Sequence, residues 1–103
     1  MRDYTQALSL LRLAAAQNFD EAQNSLGGMY HYGEGVAQDL SEALRWWQLA
    51  AAQGHPTALC KVAVCHEFGT GVAADVAEAI RWYRRAQAAG NADAADNLQE
   101  LGA

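Results

Sequence analysis

Apolar side chains recur at Leu40, Ala43, Leu44, Trp47 and Ala50, and again at Val76, Ala79, Ile80, Tyr83 and Ala86. Spacings of i, i+3, i+4, i+7 and i+10 put each set on one helical face and predict two amphipathic helices. Asp39-x-x-Glu42 and Asp75-x-x-Glu78 overlap their starts. That is the spacing of a capping box, in which the Asp carboxylate accepts from the third helical N–H and the Glu reaches back to the cap N–H. Asp3-x-x-Gln6 repeats the device near the start of the chain. Gly54 and Gly90 stand where each helix can end in a left-handed residue. His55-Pro56 opens a further helix, since Pro in a first turn removes an N–H that has no partner there. Helices predicted near 20–32 and 56–68 end in Gly33-x-Gly35-Val36 and Gly69-x-Gly71-Val72. Their glycines reverse the chain through φ > 0, and each Val is expected to tuck back into the core.

These signals repeat with a period of 36 residues. Residues 22–57 align without gaps on residues 58–93, with thirteen identical positions. The same ruler sets Asp3 on Asp39, Ala7 on Ala43 and Leu10-Leu11 on Trp46-Trp47; at the far end it sets Ala94 on Ala58 and Leu98 on Val62. The chain thus reads as a single repeat domain over 1–103. Residues 1–21 are a partial repeat with a second helix only, 22–57 and 58–93 are full repeats, and 94–103 are a partial repeat with a first helix only. With 103 residues it holds just under three periods, near the minimum for stable stacking, and is expected to be a fragment or a minimal unit. Leu98 and Leu101 are then expected to lack a covering second helix, and Leu8, Leu10, Leu11 and Leu13 a preceding partner.

Composition agrees with an all-α fold. Of the 51% hydrophobic residues, 23 are Ala, the best helix former, whereas five Val, one Ile and one Pro are too few for a β-sandwich or barrel. No apolar stretch is long enough for a membrane span, and Met1-Arg2-Asp3-Tyr4 does not open a signal peptide. Membrane insertion is therefore not expected. Cys60 and Cys65 lie five residues apart on one predicted helix, about 8.7 Å between Cα atoms and beyond disulfide reach. Two free thiols point to a reducing, cytoplasmic setting, with a piece of a longer exported protein as the alternative. Twelve acidic against seven basic residues give a net charge of -5, which repels a phosphate backbone and argues against nucleic acid.

The run Ala-x-x-x-Leu-Gly-x-x-Tyr-x-x-Gly-x-Gly-Val-x-x-Asp-x-x-x-Ala-x-x-Trp-Trp-x-x-Ala-Ala-x-x-Gly, from Ala22 to Gly54, resembles the Sel-one-like repeat, a relative of the tetratricopeptide repeat. The second unit departs from it at Ala63, His66 and Gln87, which stand where the first has Gly27, Tyr30 and Ala51. The resemblance implies a right-handed α-α superhelix of about six antiparallel helices, acting as a scaffold for protein complexes. It brings no catalytic residue and no cofactor. It also implies that first helices line a concave face. Ala22, Leu26, Gly27 and Tyr30 then face the core, leaving Asn24, Gly28, His31 and Tyr32 to the groove, with Cys60, Val64, Glu67 and Phe68 as equivalents, followed by Asp96 and Glu100.

Arg12, Arg45, Arg81, Arg84 and Arg85 fall on second helices, whereas Glu21, Glu67, Asp93, Asp96 and Glu100 fall on or beside first helices. An acidic groove with Tyr32 and Phe68 as anchors is expected to take a basic, partly apolar peptide or partner helix. The function read from the chain is a non-enzymatic protein-interaction scaffold. The alternative is a regulatory or positioning segment of a larger enzyme or exported protein, and end-to-end stacking through Leu98 and Leu101 would give weak self-association.

Sharper chemistry is disfavoured by spacing. Cys60 and Cys65 point about 140° apart on a helix, and no second Cys pair or His-x-x-x-His closes a metal site. Trp46, Trp47 and Trp82 read as core or seam residues rather than a stacking platform. His66 is either a buried neutral ring or a pH-sensitive joint. His31 and Glu67 occupy neighbouring concave positions where a hydrogen bond across repeats is expected. Arg81, Arg84 and Arg85 read as a solvated face beside Glu78, with a phosphate patch as the competing reading.

Overall fold

Six helices follow one another in the computed structural model, which describes residues 4–103: α1 Tyr4–Ala16, α2 Asp20–Tyr32, α3 Leu40–Ala52, α4 Pro56–Phe68, α5 Val76–Ala88 and α6 Ala92–Glu100. There is no strand among the described residues. The starts of α1, α3 and α5 lie 36 residues apart, as do those of α2, α4 and α6. Each helix packs mainly on its neighbours in the chain, and the stack measures 42 × 23 × 23 Å. This is the all-α solenoid expected from the repeat.

The capping signals operate by half. Asp39 Oδ1 accepts from the Glu42 amide and Asp75 Oδ1 from the Glu78 amide, each at 3.1 Å. The reciprocal bonds are absent, because the cap amides are already taken by first-helix carbonyls: Asp39 N–H donates to Tyr30 O at 2.9 Å and Asp75 N–H to His66 O at 2.7 Å. Glu42 and Glu78 turn instead to Arg45 and Arg81. The cap residue therefore ties the two helices of a repeat together as well as starting the second. The Asp3 device lies outside the described residues.

A left-handed residue closes each second helix. Gly54 and Gly90 have φ of 81° and 101°, and Asn18, one period earlier, has φ of 70°. In all three turns this residue donates its N–H to the carbonyl three residues back, at 2.8–3.0 Å. Asn is the non-Gly residue that tolerates this conformation best, so the first unit keeps the turn without a glycine. Around it Gln23, almost fully buried, and Gln53 share hydrogen bonds with Asn18, joining the α1–α2 and α3–α4 turns.

The core falls into two clusters. Leu8, Ala15, Ala22, Leu26 and Met29 form the smaller, and the larger runs from Ala43 to Leu98. Adjacent tryptophans join them: half-buried Trp46 packs on the first, whereas Trp47 is buried in the second. Val36 and Val72 are partly buried against the two clusters, as expected.

Trp47 explains an irregularity in the repeat. A Cβ on Gly27 would overlap the Trp47 indole, whose N–H donates to Asn24 O at 3.1 Å. One period on, the ring is the smaller Tyr83 and the facing residue is Ala63, fully buried. The pairs Gly27/Trp47 and Ala63/Tyr83 thus exchange a methyl group for ring size at constant packing.

Two expectations about burial require correction. Leu40 and Val76, the first positions of the predicted stripes, are exposed. At Leu40 the next repeat packs on backbone, where a Cβ on Gly71 would overlap the carbonyl, and the side chain stays outside. Leu98, expected to lie uncovered, is buried in the larger cluster, because α6 packs on α5, and Leu101 is partly buried against the same cluster. At the other end Leu8 is buried and Leu11 partly so, whereas Leu10 and Leu13 are exposed as expected.

Gly27→Ala is expected to lower stability by about 2 kcal/mol through overpacking. Trp47→Tyr in the same chain should recover at least about 1 kcal/mol of coupling, read from urea midpoints across the double-mutant cycle.

Candidate functional site

Two clefts flank α4. Between α4 and α6 lies a cleft of about 500 Å³ lined by Thr57, Cys60, Lys61 and Val64 from one and Asp93, Asp96, Asn97 and Glu100 from the other, with Asn91 at its end. The two sets are the same four positions one period apart. At 100° per residue, 57, 60, 61 and 64 fall on one helical face, so a single stripe supplies both walls. The α6 wall carries three carboxylates, and Lys61 is the one cation among the lining residues. Cys60 is buried at the cleft, with Asn97 Nδ2 3.9 Å from its sulfur.

A second cleft of about 140 Å³ opens between α2 and α4, lined by His31, Tyr32, Trp47, Lys61, Val64, Cys65 and Thr70. Lys61 and Val64 line both clefts, so α4 is the ridge between them. The smaller cleft is aromatic. His31 meets Tyr32 edge-on at 4.5 Å and lies 5.5 Å from Trp47, and Lys61 Nζ lies 5.9 Å from the same indole. His31 Nδ1 is buried with no hydrogen-bond partner among the described residues.

The predicted groove residues separate into three groups. Cys60, Val64, Asp96 and Glu100 meet in the larger cleft, and His31, Tyr32 and Val64 in the smaller. Gly28 faces open space. Asn24, Glu67 and Phe68 line neither cleft. Asn24 lends its carbonyl to Trp47, and Phe68 is exposed. Glu67 sits about 60° round the helix from Val64, and its carboxylate accepts from the Tyr83 hydroxyl at 2.6 Å. It braces α4 against α5, so the expected bond to His31 is replaced by this one. The sorting of charge also needs amending, because Lys61 places a cation on a first helix. Lys61, Thr57, Asn91, Asp93 and Asn97 complete the larger cleft; the 36-residue ruler applied to positions 57 and 61 would have found Asp93 and Asn97.

The thiols are tuned away from reactivity. Burial pushes Cys65 up to about 11, and burial followed by the Asp93 charge raises Cys60, so both stay protonated near neutrality. Tyr83 is raised by burial first and then by its bond to Glu67. Among the described residues no three His, Cys, Asp or Glu side chains gather as a metal site. His66 stacks on Trp82 at 6.3 Å, and Arg85 lies 4.4 Å from the same ring. Glu78 takes both Arg81 and the Trp82 N–H. His55, buried, caps α4 by accepting from the Ala58 amide at 3.1 Å while its other nitrogen meets Glu21. No helix among the described residues is long and apolar enough to cross a membrane.

Known proteins resemble the chain throughout its length. The Sel1 repeat family model matches residues 1–19, 20–55 and 56–91. A Sel1 repeat protein from Oxalobacter formigenes is 39% identical, with a TM-score of 0.88 over 91% of this chain and 71% of that one. A protective antigen present in uropathogenic Escherichia coli strains, which displays an SLR fold, is 35% identical with a TM-score of 0.93. It covers 96% of this chain, which spans only 21% of that antigen. The Helicobacter pylori cysteine rich protein B shares the fold at 22% identity, with a TM-score of 0.89 over 94% of this chain and 73% of its own. No curated protein matches the chain in sequence.

Because the folded Cys65 pKa is raised, its contribution to stability is complete below about pH 9 and is lost as pH rises through about 11. Melting temperature should therefore fall across pH 9–11, and more shallowly in Cys65→Ala, measured by circular dichroism. Tyr83→Phe should lower stability by about 1 kcal/mol in urea titrations, through loss of the bond to Glu67.

Proposed function

The chain belongs to the Sel1 repeat family, and from that premise we propose that it is a non-enzymatic scaffold that holds a basic, partly apolar segment of a partner protein in the trough along α2, α4 and α6. Sel1 repeat solenoids typically serve as protein-interaction scaffolds. The observation that carries the finer reading is the larger cleft, where Asp93, Asp96 and Glu100 stand along one wall against a single Lys61. Such a wall attracts cationic side chains and speeds their encounter, and the effect weakens with salt. The smaller cleft adds aromatic surface, which supplies holding energy where charge supplies steering. High thiol pKa values fit a site that binds rather than reacts.

A set of fluorescein-labelled peptides mixing Lys or Arg with Leu or Phe should bind the chain, and acidic peptides of the same apolar content should not. Combining Asp93→Asn, Asp96→Asn and Glu100→Gln should weaken the basic peptides at least tenfold at low salt and flatten the salt dependence, with circular dichroism as the folding control. Unchanged affinity in this triple variant would overturn the acidic trough.

A further inference from the structure

The two clefts differ in what they admit, and α4 fixes the distance between them. One offers three carboxylates around about 500 Å³; the other offers Tyr32, His31, Trp47 and Val64 around about 140 Å³. A cavity of about 150 Å³ takes one benzene ring, so the smaller cleft is sized for one Phe or Leu side chain and not for a helix face with several anchors. An α-helix with its side chains is about 10–12 Å across. The clefts flank α4, so their centres are separated by about that distance.

A chain in the extended polyproline II conformation advances about 3.1 Å per residue with three residues per turn, so side chains three residues apart share a face and span about 9 Å, close to that distance. Resting on the proposed trough reading, we infer that the trough recognises an extended peptide segment with one Arg or Lys and one Phe or Leu three residues apart. The cation lies against Asp93, Asp96 and Glu100, and the apolar side chain against Tyr32 and Val64. The segment crosses α4 at Lys61, which lines both clefts. The two intervening residues are therefore neutral or acidic. This selects a pattern within the segment, which net charge by itself cannot do: a chain of charge -5 would favour any added cation.

The test uses twelve-residue Gly/Ser peptides carrying one Arg and one Phe separated by one to seven positions, in both orders, titrated into the 15N-labelled chain. A separation of three should bind at least fivefold more tightly than one or six. Tyr32→Ala, at an exposed position, should erase that preference while leaving weak binding of Arg-only peptides. Lys in the intervening positions should weaken binding, and Lys61→Gln should remove that penalty. Equal binding at every separation, with Tyr32→Ala silent, would overturn the spacing rule and leave the acidic trough standing. An optimum at seven would overturn it in favour of a helical occupant, whose residues advance about 1.5 Å each. If no peptide binds, including the Leu- and Phe-rich basic set, the trough reading itself fails.

Discussion

The indole of Trp47 lies on bare backbone at Gly27, and the register of the first full repeat follows from that contact. A helix can approach another this closely only where a Cβ is missing. The ring then fills the space, its N–H finds the Asn24 carbonyl, and its other surroundings include His31 from α2 and Lys61 from α4. One side chain thus fixes α3 against α2 and reaches the helix of the next repeat. Losing such a buried ring costs about 3–5 kcal/mol in typical cores, a large share of the stability of a small domain.

The larger cleft is a by-product of the same arithmetic. Stacking equivalent hairpins brings equal positions of successive first helices side by side, so whatever residues stand on that stripe become facing walls. Thr57, Cys60, Lys61 and Val64 therefore meet Asp93, Asp96, Asn97 and Glu100. The walls differ in chemistry because the core does not constrain them. Ala22, Ala58 and Ala94 are identical and buried, whereas Glu21, Thr57 and Asp93 have diverged in charge at exposed positions. Packing preserves the frame, and the stripe is free to acquire specificity.

Much of this was legible in the chain. The 36-residue ruler located six helices, and Asp39, Asp75, Gly54 and Gly90 marked their ends, because caps and left-handed turns are local devices. Cys60, Val64, Asp96 and Glu100 could be assigned to one surface by period. Other features were not legible. Glu42 and Glu78 had the spacing to close their capping boxes, yet the amides they would have met were claimed by Tyr30 and His66 on another helix. Glu67 read as a groove residue until Tyr83 claimed its carboxylate. In both cases a partner distant in sequence outcompeted the local one.

The sequence by itself determined the helices, their period and the identity of the stripe, since these follow from the spacing of apolar residues and from backbone preferences within one turn. Only the tertiary structure decided which stripe residues line a cleft and which serve as struts. It also decided that Leu98 is covered and Leu40 is not, and that α4 separates an acidic cleft from an aromatic one. These outcomes depend on where neighbouring helices come to rest. That position is set by ring sizes and missing methyl groups at contacts such as Gly27 with Trp47, which no single helix encodes.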